Sequence, residues 1–138
     1  MTGLRKAMTL IELMLVVLII GLLAGIAAAK YGSAVRKANE GALLGDLGAL
    51  RSALRIYYSN SEGAYPSDLS ALGSRTISRM PQALVPNYHP AASAVKAGAA
   101  ADDSGGWLYN DTPGDERFGS VYVNCTHTDT KGSLCSAY

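Results

Sequence analysis

At 138 residues the chain is sized for one compact domain with room for an appendage. Twelve Lys/Arg against eleven Asp/Glu give a formal net charge of +1. The two signs are interspersed, so no basic patch exists to meet a phosphate backbone, and nucleic-acid binding is excluded as the main role. The first element is an apolar run. Residues 13–29 are seventeen positions without a charge, and extension back to Met8 makes twenty-two with a single charge, Glu12. As a helix this run is about 33 Å long, close to the thickness of a bilayer core. Its ten Leu, Ile and Val residues between positions 13 and 26 favour insertion, at roughly −0.3 to −0.6 kcal/mol each. An acid at the centre of a span costs about 2.5–3.5 kcal/mol, and less near the end, where Glu12 stands.

Three readings of this run compete. A secretory signal peptide would use Arg5 and Lys6 as its basic region and Ala27-Ala28-Ala29 as its cleavage site, but the run is long and begins with an acid. A plain uncleaved anchor explains the length and leaves Glu12 an uncompensated cost. The third reading rests on Lys6-Ala7-Met8-Thr9-Leu10-Ile11-Glu12-Leu13-Met14-Leu15-Val16-Val17. That segment resembles the processing motif of the type IV pilins and the pseudopilins of type II secretion. The family pattern is basic residues, Gly, a cut, then Phe-Thr-Leu-Ile-Glu-Leu and an apolar run. Here Ala7 replaces Gly and Met8 replaces Phe. The resemblance implies cleavage between Ala7 and Met8 by a membrane aspartic peptidase, the prepilin peptidase, followed by methylation of the Met8 amine. It also implies that Glu12 attracts the Met8 amine of an adjacent subunit during assembly.

Downstream, residues 30–60 contain no Pro, and Leu43, Leu47, Leu50, Leu54 and Tyr57 recur at spacings of four, three, four and three. That is one face of a helix. Arg36, Lys37, Glu40, Asp46, Arg51 and Arg55 are expected on the opposite face. A single helix from Met8 to Asn60 would be about 80 Å long. Gly21 and Gly25 have the spacing that lets helices approach closely, and each costs about 1 kcal/mol relative to Ala in a helix. The family often has a Pro near the end of this zone, where Ala29 stands. Ser59-Asn60-Ser61-Glu62-Gly63 ends the helix with turn formers. The following Tyr65-Pro66-Ser67-Asp68-Leu69 resembles a segment common after the long helix in this family, where it forms a short helix. Residues 73–104 read as a Pro- and Ala-rich connection, with 91–101 as a surface loop. Trp107-Leu108-Tyr109 and Ser120-Val121-Tyr122-Val123-Asn124 read as strands joined through a turn at Thr112-Pro113-Gly114-Asp115. Trp107, Tyr65 and Phe118 are expected in the core.

The fold class expected is α+β. It comprises a long N-terminal helix, half of it transmembrane, and a small antiparallel sheet as a head, the lollipop form of the family. The expected divisions are a cytoplasmic leader at 1–7, a membrane and filament-core helix at 8–29, an amphipathic half at 30–60 and a globular head at 61–138.

Cys125 and Cys135 are the two cysteines, and an even pair in an exported domain reads as a disulfide. It would close an eleven-residue segment and contribute about 2.8 kcal/mol in the chain-entropy model. Free thiols or a metal pair are the alternatives, and His127 between them gives poor zinc spacing. His89 and His127 read as lone, solvated histidines. Asp111, Asp115 and Glu116 are weak calcium candidates, more simply a charged turn. Asn110-Asp111-Thr112 and Asn124-Cys125-Thr126 match the glycosylation triplet, a weak signal. No nucleophile motif, phosphate loop or helical His pair is present, so the chain reads as a non-enzyme with no cofactor.

The resemblance implies a filament subunit that is held in the inner membrane as a precursor, with the N-terminus cytoplasmic and the head outside. Its partners would be membrane lipid before assembly, copies of itself, the prepilin peptidase and an inner-membrane assembly platform. The alternatives are a periplasmic pseudopilin of type II secretion and, from another class, an exported binding domain on an ordinary anchor.

Overall fold

Thr9 opens the first helix. Its backbone oxygen accepts hydrogen bonds from the Glu12 and Leu13 N–H groups at 3.1 and 3.2 Å, and its hydroxyl accepts from Glu12 N–H at 3.3 Å. This satisfies donors that a helix start leaves orphaned. The sequence Thr-x-x-Glu at this point is the capping-box pattern. This computed structural model describes residues 9–74 and 76–138. Ala7 and Met8, the expected cleavage pair, lie outside the described residues.

Helix α1 runs from Leu10 to Asn60. It stays helical through 21–29, glycines included. The Ser61 and Gly63 N–H groups close its end on the carbonyls of Tyr57 and Tyr58, and Glu62 takes a positive φ of 53°. The turn formers therefore act where the sequence put them. The chain divides into two compact units, Met1–Val35 and Arg36–Tyr138.

Within the second unit the four leucines of the predicted helical face, Leu43, Leu47, Leu50 and Leu54, are buried, and Tyr57 packs partly buried beside them. Each buried leucine contributes about 1.5–3 kcal/mol of apolar transfer. They meet Leu69 and Leu72 of a short 3-10 helix (Leu69–Ser74) and the strand residues Val85, Trp107, Tyr109, Val121 and Val123.

Five short strands follow. β1 (Ala83–Val85) pairs antiparallel with β2 (His89–Ala92). β3 (Val95–Ala97) lies parallel to β4 (Trp107–Tyr109), and β4 is antiparallel to β5 (Val121–Val123). The fold is α+β, as expected. The second sheet, however, is mixed and not purely antiparallel, and β1 also lies in the 73–104 stretch read as a connection, with β2 and β3 reaching into its surface-loop part. Their small residues gave no strand signal, because the parallel partner that organises β3 is twelve positions away in sequence. The turn before β5 forms as predicted, with Asp115 N–H bonded to the Thr112 carbonyl at 3.3 Å.

Trp107 is the core aromatic, and its indole N–H donates to the Pro81 carbonyl at 2.9 Å. Tyr65 and Phe118, expected beside it, are instead 38% and 39% exposed. They form a surface cluster in which Tyr65 lies 4.5 Å from Tyr58 and edge-on to Phe118 at 5.7 Å. Gly119 lies under the Tyr65 ring with φ +76°, and a Cβ there would come within 2.5 Å of ring carbons. The core role expected of Tyr65 is taken by Tyr109, whose hydroxyl donates to the Pro66 carbonyl at 2.6 Å.

Candidate functional site

Two regions carry functional chemistry, and each is built differently. The first is the N-terminal part of α1. Every described residue from Thr9 to Val35 is exposed in the single chain. The helix is long and apolar enough to cross a membrane, and its most apolar window has none of its residues buried. Leucine, isoleucine, valine and methionine side chains point outward all around the axis, so this surface needs lipid or protein to cover it. Glu12 is the acid of the first turn, where the helix dipole favours a negative charge by about 0.3–1 kcal/mol. A Cβ on Gly21 or Gly25 would meet nothing within 4 Å, so no contact inside the chain calls for glycine at either position.

The second region is in the strand-bearing unit. The C-terminal segment from Cys125 is held to α1 by side chains expected on its solvent face. Glu40 accepts from the Thr130 backbone N–H at 3.0 Å and from its hydroxyl at 2.5 Å. Arg51 donates to the Val121 carbonyl at 3.1 Å and to the backbone oxygen of Tyr138. These two residues are thus part of the packed side, because long polar side chains can reach backbone groups at the edge of an apolar stripe. Asp129 organises the segment internally. Its carboxylate accepts from the Lys131 and Ser133 N–H groups at 2.8 Å and from the Tyr138 hydroxyl at 2.5 Å. That hydroxyl first, then the two backbone donors, hold the Asp129 carboxyl below its ordinary range.

Cys125 and Cys135 are both buried and stand as thiols. Burial pushes the Cys125 thiol up, and it pushes that of Cys135 up to about 12.

The two histidines are neither lone nor freely solvated. His89 Nε2 and His127 Nδ1 each lie 3.2 Å from Asp103 Oδ1, and His127 Nδ1 lies 3.4 Å from Cys125 Sγ. The ligand-type atoms of His89, Asp103, Cys125 and His127 are all within 4.8 Å of one another. The Thr126 N–H, donating at 2.8 Å, is the main cause that lowers the Asp103 carboxyl, and His89 adds to it. Sequence reasoning missed this cluster because its members come from three places: strand β2, the β3–β4 loop and the segment after β5. Only Cys125-x-His127 was a local hint.

Asp111, Asp115 and Glu116 are not brought together as such a group among the described residues. Asp115 serves the turn, accepting from the Asn110 amide and the Arg117 N–H at 2.9 and 2.8 Å. Asn110 and Asn124, the glycosylation candidates, are buried, and both amide nitrogens are already donating within the fold.

Over 69 residues the chain is 39% identical to the fimbrial protein EcpC of Eikenella corrodens. The match covers 50% of this chain and 44% of that protein, so the chain spans less than half the length of the curated relative it matches. No family model and no solved structure matches the chain. The likeness is therefore to part of a fimbrial protein, over half of this chain.

Proposed function

We propose that the chain is the precursor of a subunit of a type IV pilus-like filament and that it polymerises through the N-terminal part of α1. The observation that carries this reading is the uncovered apolar surface of residues 10–26 on a helix whose later leucines Leu43, Leu47, Leu50 and Leu54 are buried. A soluble monomer would not leave so many large apolar side chains in water. Lipid covers them in the precursor, and neighbouring copies cover them in the filament. Gly21 and Gly25 support the second cover. Each weakens the helix by about 1 kcal/mol with no contact inside the chain in return, which suits close approach by another helix.

In this reading the prepilin peptidase cuts between Ala7 and Met8, the Met8 amine is methylated, and an inner-membrane platform drives assembly. Glu12 then has a positive partner, since a carboxylate leaving water among apolar helices is costly without one. The amine of a neighbouring Met8 is the group at matching depth. The adjacent thiols of Cys125 and Cys135 become a disulfide on export: they lose two protons, and two electrons pass to an oxidised dithiol carrier, whose own disulfide is reduced.

Intact-mass measurement and N-terminal sequencing of the membrane form test the reading. The expected mature chain begins at methylated Met8, and loss of Arg5 and Lys6 takes the formal side-chain charge from +1 to −1. A chain that begins at Lys30, or one left uncut, would overturn it in favour of an exported domain on an ordinary anchor. Electron microscopy then separates long surface filaments from the short periplasmic assembly of a pseudopilin.

A further inference from the structure

We propose that His89, Asp103, Cys125 and His127 form a binding site for a zinc-type divalent metal ion in the thiol form of the protein. Three of the six ligand-to-ligand separations are close to those of a coordination tetrahedron. Zinc holds imidazole nitrogen at about 2.0–2.1 Å, carboxylate oxygen at about 2.0–2.2 Å and thiolate sulfur at about 2.3 Å. A tetrahedron with those radii has N···O edges of about 3.3–3.4 Å and N···S edges of about 3.5–3.6 Å. The two His–Asp103 separations are 3.2 Å, and the His127–Cys125 separation is 3.4 Å. The remaining separations are no longer than 4.8 Å, within reach of small side-chain rotations.

The donor set selects the ion. One thiolate, two imidazoles and one carboxylate suit zinc or cobalt and are wrong for calcium or magnesium, which take oxygen ligands. A thiolate and a carboxylate on a dication also leave the site neutral.

The surroundings hold these groups in place as a metal site requires of its outer shell. His127 stacks on Tyr88 with ring centroids 3.9 Å apart and planes 16° apart, which sets the direction of its Nδ1. Asp103 takes a positive φ of 65°, a costly conformation for a residue other than glycine. Asn124 keeps its loop in that shape: its side-chain oxygen accepts from the Asp102 N–H at 3.0 Å, and its amide donates to Asp102 and Ser104 at 2.8 Å. Gly105 lies against His89, where a Cβ would come within 3.2 Å of the histidine Cβ. His127 and Asp103 each keep about a third of their side-chain surface exposed, so an ion has a route in. The bound ion would clamp β2, the β3–β4 loop and the segment after β5 together. It uses Cys125 Sγ, so the metal and a Cys125–Cys135 disulfide are alternative states of that sulfur.

The test uses the full chain in detergent micelles, reduced and without an affinity tag, titrated with cobalt(II) and then with zinc. One equivalent of cobalt should bind, with tetrahedral ligand-field bands and a thiolate charge-transfer band, and one equivalent of zinc should displace it. Cys135→Ser should leave both signals in place. His89→Gln, His127→Gln and Asp103→Asn should each weaken zinc by more than the roughly 10–100-fold typical of outer-shell changes. Zinc should also raise the thermal midpoint of the parent chain and not that of the variants. His89 is on β2, which contributes no residue to the buried core, so its variant carries the test if another fails to fold. Cobalt bound without the thiolate band, affinity unchanged in His89→Gln and Asp103→Asn, or loss of the signals in Cys135→Ser would each overturn the proposal. None of these outcomes depends on filament assembly.

Discussion

Two stretches of α1 are built from the same kind of residue and behave in opposite ways. Leu13, Leu18, Leu22 and Leu23 are exposed, whereas Leu43, Leu47, Leu50 and Leu54 are buried. The difference is in pattern. Around residues 13–26 apolar side chains occupy every face, so no single face can satisfy them and the helix needs a surrounding medium. Between 43 and 57 most of them occupy one stripe, which a small set of strands can cover, and only Leu44 and Ile56 among the large ones stay exposed. Apolar content alone therefore says that a helix must be covered, and periodicity says whether its own chain can do so.

The largest effect expected from a single change is at the start of the first stretch. On the proposed pairing with Met8, Glu12→Ala should be processed and inserted normally but give few filaments, because removing one partner of a buried charge pair costs about 3–5 kcal/mol. The competing role, an acid in the first turn of a helix, is worth only about 0.3–1 kcal/mol. Glu12→Gln separates them, since it keeps the shape and loses the charge. Filaments of normal number and length from Glu12→Gln, counted by electron microscopy, would reduce Glu12 to a helix-start residue.

Leu47→Ala should destabilise the strand-bearing unit by about 2–5 kcal/mol, read from denaturant unfolding in detergent followed by Trp107 fluorescence. Leu18→Ala should leave that transition within about 0.5 kcal/mol of the parent. Equal shifts from the two changes would show that the apolar stretches are not independent.

Gly119→Ala is expected to cost about 1–3 kcal/mol, from the left-handed backbone and the contact with the Tyr65 ring. The double variant Tyr65→Ala with Gly119→Ala should recover the part due to the ring, so full additivity in the same unfolding assay would contradict the contact.

Tyr109→Phe should cost a further small amount, about 1 kcal/mol and up to 3, because the Pro66 carbonyl loses its buried partner. Burial, the main cause, pushes the Tyr109 hydroxyl up to about 12. Its folded value lies above the unfolded value of about 10. The associated stability is therefore whole below pH 10 and falls away as the pH rises towards 12. Tyr109→Phe should flatten that alkaline decline, and an unchanged pH profile would assign it to another group.

The sequence alone was enough for whatever depends on neighbours along the chain. The apolar run, the leucine stripe from 43 to 54, the helix stop after Asn60, the turn at 112–115 and the strands around Trp107 and Val121 all follow from periods and turn formers within a few residues. Tertiary structure decided what depends on distant partners. β3 acquires its strand identity from β4, Tyr65 and Phe118 lie outside a core that Tyr109 fills, and Glu40 and Arg51 turn from a presumed solvent face to the C-terminal segment. The meeting of His89, Asp103, Cys125 and His127 belongs to the same class. Their distances were set by strand pairing and by a loop pinned on Asn124, and no spacing along the chain encodes a contact that exists only once those elements have packed.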